Sequence, residues 1–103
     1  MKRRNTQKRA VQRYVGNLQR KYGLTPEGYV KLLVLQDRRC AICRRTREEL
    51  QQDLVVDHDH ATGEVRGLLC KSCNRFLGVI RDSTSWLQRA LEYLTNPPAR
   101  VLK

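Results

Sequence analysis

Apolar residues in the first part of this chain recur at helical spacing. Within residues 6–22, Ala10, Val11, Tyr14, Val15, Leu18 and Tyr22 share one face, the opposite face is almost entirely basic or amide, and Gly23 supplies a stop. Leu24-Thr25-Pro26-Glu27 predicts a new helix start, with Thr25 as N-cap and Pro26 at the first helical position. Tyr29, Leu32, Leu33 and Gln36 continue that helix toward Arg38 and Arg39. Residues 44–53 are polar and read as a loop or a short helical turn. The period then changes. Leu54-Val55-Val56 is a β-branched run leading into Asp57, Ala61-Thr62-Gly63 supplies turn chemistry, and Glu64-Val65-Arg66-Gly67-Leu68-Leu69 returns as a second strand. Helical spacing resumes with Cys73, Phe76, Leu77 and Ile80. Asp82-Ser83 offers a cap for a last helix, which Asn96-Pro97-Pro98 ends. Trp86, Leu87, Ala90, Leu91 and Leu94 share a face of that helix, and the pattern assigns Trp86 to the core ahead of a base-stacking role.

With 103 residues there is room for one domain with a modest core, which a metal staple would reinforce. The pattern divides the chain into a basic N-terminal helical region (residues 1–36), a core (37–80) and a C-terminal helix and tail (81–103). No internal repeat occurs beyond two Cys-x-x-Cys pairs. The basic N-terminus is not followed by a continuous apolar stretch, and nothing approaches transmembrane length. These features predict a cytoplasmic chain with no membrane partner.

Charge narrows the partner. Lysine and arginine number 21 against 10 acids, a net charge of +11, which favours a polyanion over a neutral or cationic ligand. Residues 1–21 hold Lys2, Arg3, Arg4, Lys8, Arg9, Arg13, Arg20 and Lys21 with no acid, and Arg38, Arg39, Arg44, Arg45 and Arg47 surround the first cysteine pair. Phosphate contacts from Lys8, Arg9, Arg13, Arg38, Arg39, Arg44 and Arg45 would supply affinity and salt dependence without reading sequence. The competing reading is a solvated basic surface with no partner.

The pairs Cys40-Ala-Ile-Cys43 and Cys70-Lys-Ser-Cys73 provide four thiolates for one tetrahedral zinc. A reducing setting favours this over two disulfides. Protein would occupy all four coordination places, so the zinc is structural, and folding should depend on it. Between the pairs lies Asp57-His58-Asp59-His60. The Asp57 carboxylate and the Asn74 amide oxygen suit a hard cation such as magnesium, and a neutral histidine nearby can take a proton from an attacking water. Two other readings stand beside this one: a solvated turn, or a second zinc on His58 and His60, which share a strand face. Adjacent Asp57 and His58 should point to opposite faces of a regular strand, so joint action requires a twist or bulge at the bend. Asn74 also reads as a helix-end residue. Arg66 reads equally as a strand residue and as a bidentate phosphate clamp.

Cys40-Ala-Ile-Cys43, Val56-Asp-His-Asp-His60, Gly63-Glu-Val-Arg-Gly-Leu-Leu-Cys70, Cys73-Asn74 and Leu77-Gly78 resemble the recombination endonuclease VII family, among the HNH-like, ββα-metal (His-Me finger) nucleases. The match spans residues 37–78. The resemblance implies an α+β fold: a zinc-stapled ββα-metal core with flanking N- and C-terminal helices. It implies structural zinc on the four cysteines, catalytic magnesium or manganese on Asp57 and Asn74, His58 as general base, and His60 as a supporting residue at the scissile phosphate. The phage prototype resolves branched DNA such as four-way junctions and works as a homodimer. This chain departs from it in having Leu77 where an acid stands three positions after the Asn, and in ending soon after Pro98. The expectation is a metal-dependent DNA endonuclease. Its rivals are a non-catalytic zinc-ribbon nucleic-acid binder, a protein–protein adaptor using the C-terminal apolar helix, and a nuclease acting on RNA.

Overall fold

The computed structural model describes residues 23–102. The predicted helix over residues 6–22 therefore lies outside the described residues, as do Lys8, Arg9 and Arg13. The described chain is a small α+β arrangement: helix α1 (Pro26–Leu35), a short helix α2 (Arg47–Leu50), strands β1 (Val55–His58) and β2 (Val65–Leu69), helices α3 (Lys71–Val79) and α4 (Thr84–Thr95), and a closing 3-10 turn (Pro98–Leu102). The 3-10 turn is an addition to the predicted elements.

Local chemistry sets each boundary. The Thr25 hydroxyl accepts from Gly28 N at 3.0 Å, which satisfies one of the free amides opening α1. That helix ends in a turn where Asp37 (φ 55°) and Arg38 (φ 57°) are left-handed and Arg38 N donates to Leu33 O at 2.7 Å. Thr46 and Glu49 form a reciprocal capping box that lets so short a helix as α2 persist. Ser83 caps α4, its hydroxyl accepting from Trp86 N at 3.3 Å.

The strands form one antiparallel hairpin. Around it Cys40, Leu54, Val56, Leu68, Leu69 and Cys70 are buried, and Leu24, Tyr29, Leu32, Leu33, Leu50 and Leu77 pack against them half-buried. Gly67, Leu68 and Leu69 are buried in succession, so solvent meets neither face of β2 there. α1 packs against β2, and α3 against both strands.

Gln36, just past α1, joins that helix to the hairpin. Its Nε2 donates to Leu68 O at 2.9 Å and Arg39 O at 2.8 Å, while its Oε1 accepts from Leu68 N at 2.8 Å. One side-chain amide thus pairs with β2 as a neighbouring strand's peptide would. The Tyr29 hydroxyl adds a bond to Leu54 O at 2.7 Å. Gly67 leaves room for Gln36, because a Cβ there would lie 3.1 Å from its Oε1.

The core assignment of the last helix is corrected. Trp86 is 57% exposed, Leu91 66% and Leu94 72%, and no residue of α4 is buried. Helical spacing identifies an apolar face, but burial also requires a surface to meet it. No described element covers this one. Among the described residues, no helix is long and apolar enough to cross a membrane.

Candidate functional site

The first cysteine pair sits on a tight turn after α1. Cys40 N donates to Arg45 O at 2.9 Å and Arg44 N to Cys40 O at 3.0 Å. Arg44 takes the left-handed conformation (φ 68°) that closes this turn. The second pair opens α3, where Cys70 is the N-cap and its Sγ accepts from Cys73 N at 3.4 Å. All four sulfur atoms lie within 4.8 Å of one another, with Cys43 and Cys70 3.8 Å apart. A tetrahedral zinc with bonds of about 2.3 Å would hold its sulfurs about 3.8 Å apart, so the donor set fits a closed thiolate site.

The thiols differ in acidity. Burial opposes charge on Cys40, but backbone amides of Cys70, Cys43 and Ile42 outweigh it and bring that thiol down to about 6. Burial and the neighbouring sulfurs of Cys70, Cys40 and Cys43 push Cys73 up to about 12. Four thiolates packed this closely would require a cation to neutralise them, a role that a metal ion would fill. The cysteines carry no disulfide.

At the other end of the hairpin the pairing slips. Asp57 lies opposite Gly67, while His58 lies opposite Val65, leaving Arg66 as the extra residue of a bulge. A bulge sharpens the local twist and re-aims side chains. The sequence of Asp57-His58 demanded such an irregularity if both side chains were to serve one site. Asp57 is only 5% exposed. Arg66 covers it, donating Nε to Oδ2 at 2.7 Å and Nη2 to Oδ1 at 3.0 Å. These bonds hold the guanidinium more firmly protonated than usual.

From Arg66 the contacts continue. Nη2 also donates to Asp82 Oδ1 at 3.2 Å, and Asp82 Oδ2 lies 3.6 Å from His60 Nδ1. The His60 ring faces that of His58, with centroids 4.8 Å apart. Asp57, Arg66, Asp82, His60 and His58 thus form one connected polar cluster. Asp59 stands apart as the turn residue. Its Oδ1 accepts from Ala61 N at 2.7 Å and Thr62 N at 3.2 Å, and these amides lower its carboxyl below the usual range.

Asn74 is exposed in the first turn of α3, directly after Cys73, and its backbone amide donates to Cys70 O at 3.0 Å. Its helix packs on both strands, so the second cysteine pair and the Asn74 position share one element. Arg38, Arg44 and Arg45 are exposed around the first cysteine turn. Arg39 is partly engaged, donating to Arg44 O at 3.0 Å and lying 3.6 Å from Asp37. Sequence reasoning missed two residues. Asp82 reads locally as a helix cap, yet Ser83 caps α4 and Asp82 turns to the hairpin. Gln36 reads as the end of a helix. Each reaches its partner only through the tertiary fold, so no local pattern marks it.

A family model described as recombination endonuclease VII matches residues 15–96. Two Gene 59 proteins are similar over 79 residues, 76% of this chain. The one from Mycobacterium phage L5 is 49% identical over 48% of its own length. The one from Mycobacterium phage D29 is 51% identical over 47% of its length. The chain therefore spans about half the length of the curated relatives it matches. No solved structure matches.

Proposed function

The chain belongs to the recombination endonuclease VII family, and from that premise we propose that it is a metal-dependent DNA endonuclease with a ββα-metal (His-Me finger) core at residues 37–80. The observation that carries this reading is the bulge between Asp57 and His58, set beside a helix that bears Asn74 just past the cysteine cluster. Zinc on Cys40, Cys43, Cys70 and Cys73 holds that helix against the hairpin. Asp57 and Asn74 offer hard oxygen donors for magnesium or manganese, which when bound would offset charge on the phosphate and the leaving 3′ oxygen. Asp57 has lone pairs beyond those that Arg66 uses, so the carboxylate can serve both cations.

In this reading a phosphodiester lies along the exposed side of the bulge. His58 accepts the proton of the attacking water, and His60 stands beside it to orient the phosphate. Arg66 donates to a phosphate oxygen when its hold on Asp57 loosens. The exposed Arg38, Arg44 and Arg45, with Arg39 and the N-terminal Lys8, Arg9 and Arg13, add backbone contacts that fix position without reading bases. Four-way junctions and a homodimer belong to the same proposal, as does action in the host cytosol.

The test is cleavage of supercoiled, linear, flap and four-way-junction DNA by zinc-loaded protein with and without added magnesium. His58→Ala and Asn74→Ala should lose magnesium-dependent cutting while keeping zinc and fold. Wild-type cutting by zinc-loaded His58→Ala would remove His58 as base. One observation favours a second reading, a non-catalytic zinc-ribbon binder: Arg66 occupies both oxygens of Asp57. That protein would bind DNA in a salt-sensitive way and cut none under any metal.

A further inference from the structure

We propose that Asp82 is a positioning residue of this site, holding Arg66 and His60 together from the turn that follows α3. The inference rests on the nuclease reading for its consequence in catalysis, but its geometry stands by itself. One oxygen of Asp82 accepts from Arg66 Nη2 at 3.2 Å, and the other lies 3.6 Å from His60 Nδ1. The same Arg66 nitrogen reaches Asp57 at 3.0 Å. Asp82 is therefore a second anionic anchor for a guanidinium that Asp57 must share with any cation it binds. Such a cation draws on the Asp57 carboxylate that Arg66 shares and loosens that hold, and an arginine held only there would swing into solvent. Asp82 keeps it beside the hairpin, with donors turned to the place where a phosphate would lie.

The backbone supports this role. Arg81 (φ 53°) and Asp82 (φ 55°) are successive left-handed residues, with Asp82 N donating to Leu77 O at 3.0 Å. Aspartate tolerates that conformation better than most residues, yet glycine would adopt it at less cost. What aspartate adds there is the carboxylate. Its side chain is 28% exposed and that of Arg66 34%, so the contact is partly shielded from water.

Asp82→Asn keeps the shape and removes the charge, while Asp82→Gly relaxes the backbone and removes the side chain. Glu92→Gln on α4 controls for net charge. The first readout is the NMR signal of the Arg66 guanidinium in zinc-loaded protein free of DNA, without and with saturating magnesium. Restricted rotation with separate Nη–H signals is expected in the wild type and in Glu92→Gln under both conditions, and freer rotation in both Asp82 variants once magnesium draws on the Asp57 oxygens. The second is cleavage of a DNA substrate that the wild type cuts. There kcat should fall by ~10- to 100-fold, while DNA affinity of the zinc-loaded protein measured without magnesium is not weakened, since a negative charge has been removed. Wild-type Arg66 signals in magnesium-saturated Asp82→Gly, or wild-type kcat in both variants, would overturn the proposal. If the wild type cuts no DNA, the nuclease reading fails, and the Arg66 signals alone decide whether Asp82 anchors that side chain.

Discussion

Arg66 grips Asp57 with two hydrogen bonds, at 2.7 and 3.0 Å, from the extra position of a β-bulge. The pair is asymmetric, with the Asp57 side chain 7% exposed and that of Arg66 34%. Removing Arg66 would thus strand a nearly buried carboxylate. Losing one partner of a fully buried pair costs roughly 3–5 kcal/mol, and water reaching the Arg66 side lowers the expectation for Arg66→Ala to ~2 kcal/mol. Urea unfolding with and without magnesium checks this. On the proposed role of Asp57, magnesium should recover part of the loss in the variant and change the wild type little.

On the proposed zinc site, chelation should unfold the hairpin and α3 together. The core is small and includes Cys40 and Cys70 themselves, so apolar burial alone cannot replace a site worth roughly 10 kcal/mol or more. Circular dichroism during chelation should show cooperative loss of helix, reversed by zinc. The apparent zinc affinity should also climb with pH. Cys40, at about 6, is already largely thiolate at neutral pH, while Cys73, at about 12, keeps its proton until the metal expels it. Competition with a chromophoric chelator across neutral pH measures the slope, and a flat profile would count against thiolate ligation by Cys73.

Gln36→Ala removes three hydrogen bonds and leaves Leu68 N without its acceptor. At about 1 kcal/mol per bond the loss should reach ~2–3 kcal/mol in thermal or urea unfolding. Gly67→Ala should cost ~1 kcal/mol because its methyl would crowd Gln36 Oε1. Combined, the two should cost less than their sum, since the first removes the atom that the second strikes.

Arg44→Gly should move stability and binding in opposite directions. Arg44 is held at φ 68°, so glycine relieves strain and, after its greater unfolded-state entropy, should stabilise by up to about 1 kcal/mol. The same change deletes an exposed cation of the proposed DNA face. The slope of log affinity against log salt should shrink by ~1. A stabilised variant with an unchanged salt slope would remove Arg44 from that face.

Much of the fold was legible because its signals are local. Thr25-Pro26 starts a helix, Ala61-Thr62-Gly63 bends the hairpin, and Asn96-Pro97-Pro98 stops α4. Each acts through backbone conformation or a hydrogen bond within a few residues, and the structure reproduces all three. The cysteine cluster was legible for a related reason, since Cys-x-x-Cys spacing presents two sulfurs from one turn. The apolar face of α4 was misread because periodicity records which residues share a face and not whether anything covers it.

By itself the sequence determined the order of the two strands and the three longer described helices, the basic charge, the paired cysteines and the family. Composition and short-range geometry suffice for these. Only the tertiary structure decided that the hairpin bulges at Arg66, that Arg66 lies on Asp57, that Asp82 turns back to join Arg66 with His60, and that Gln36 pairs with the edge of β2. Those side-chain relationships join residues 9, 16, 22 and 32 positions apart. At such separations partner choice is set by how helices pack on the hairpin, which no local pattern encodes.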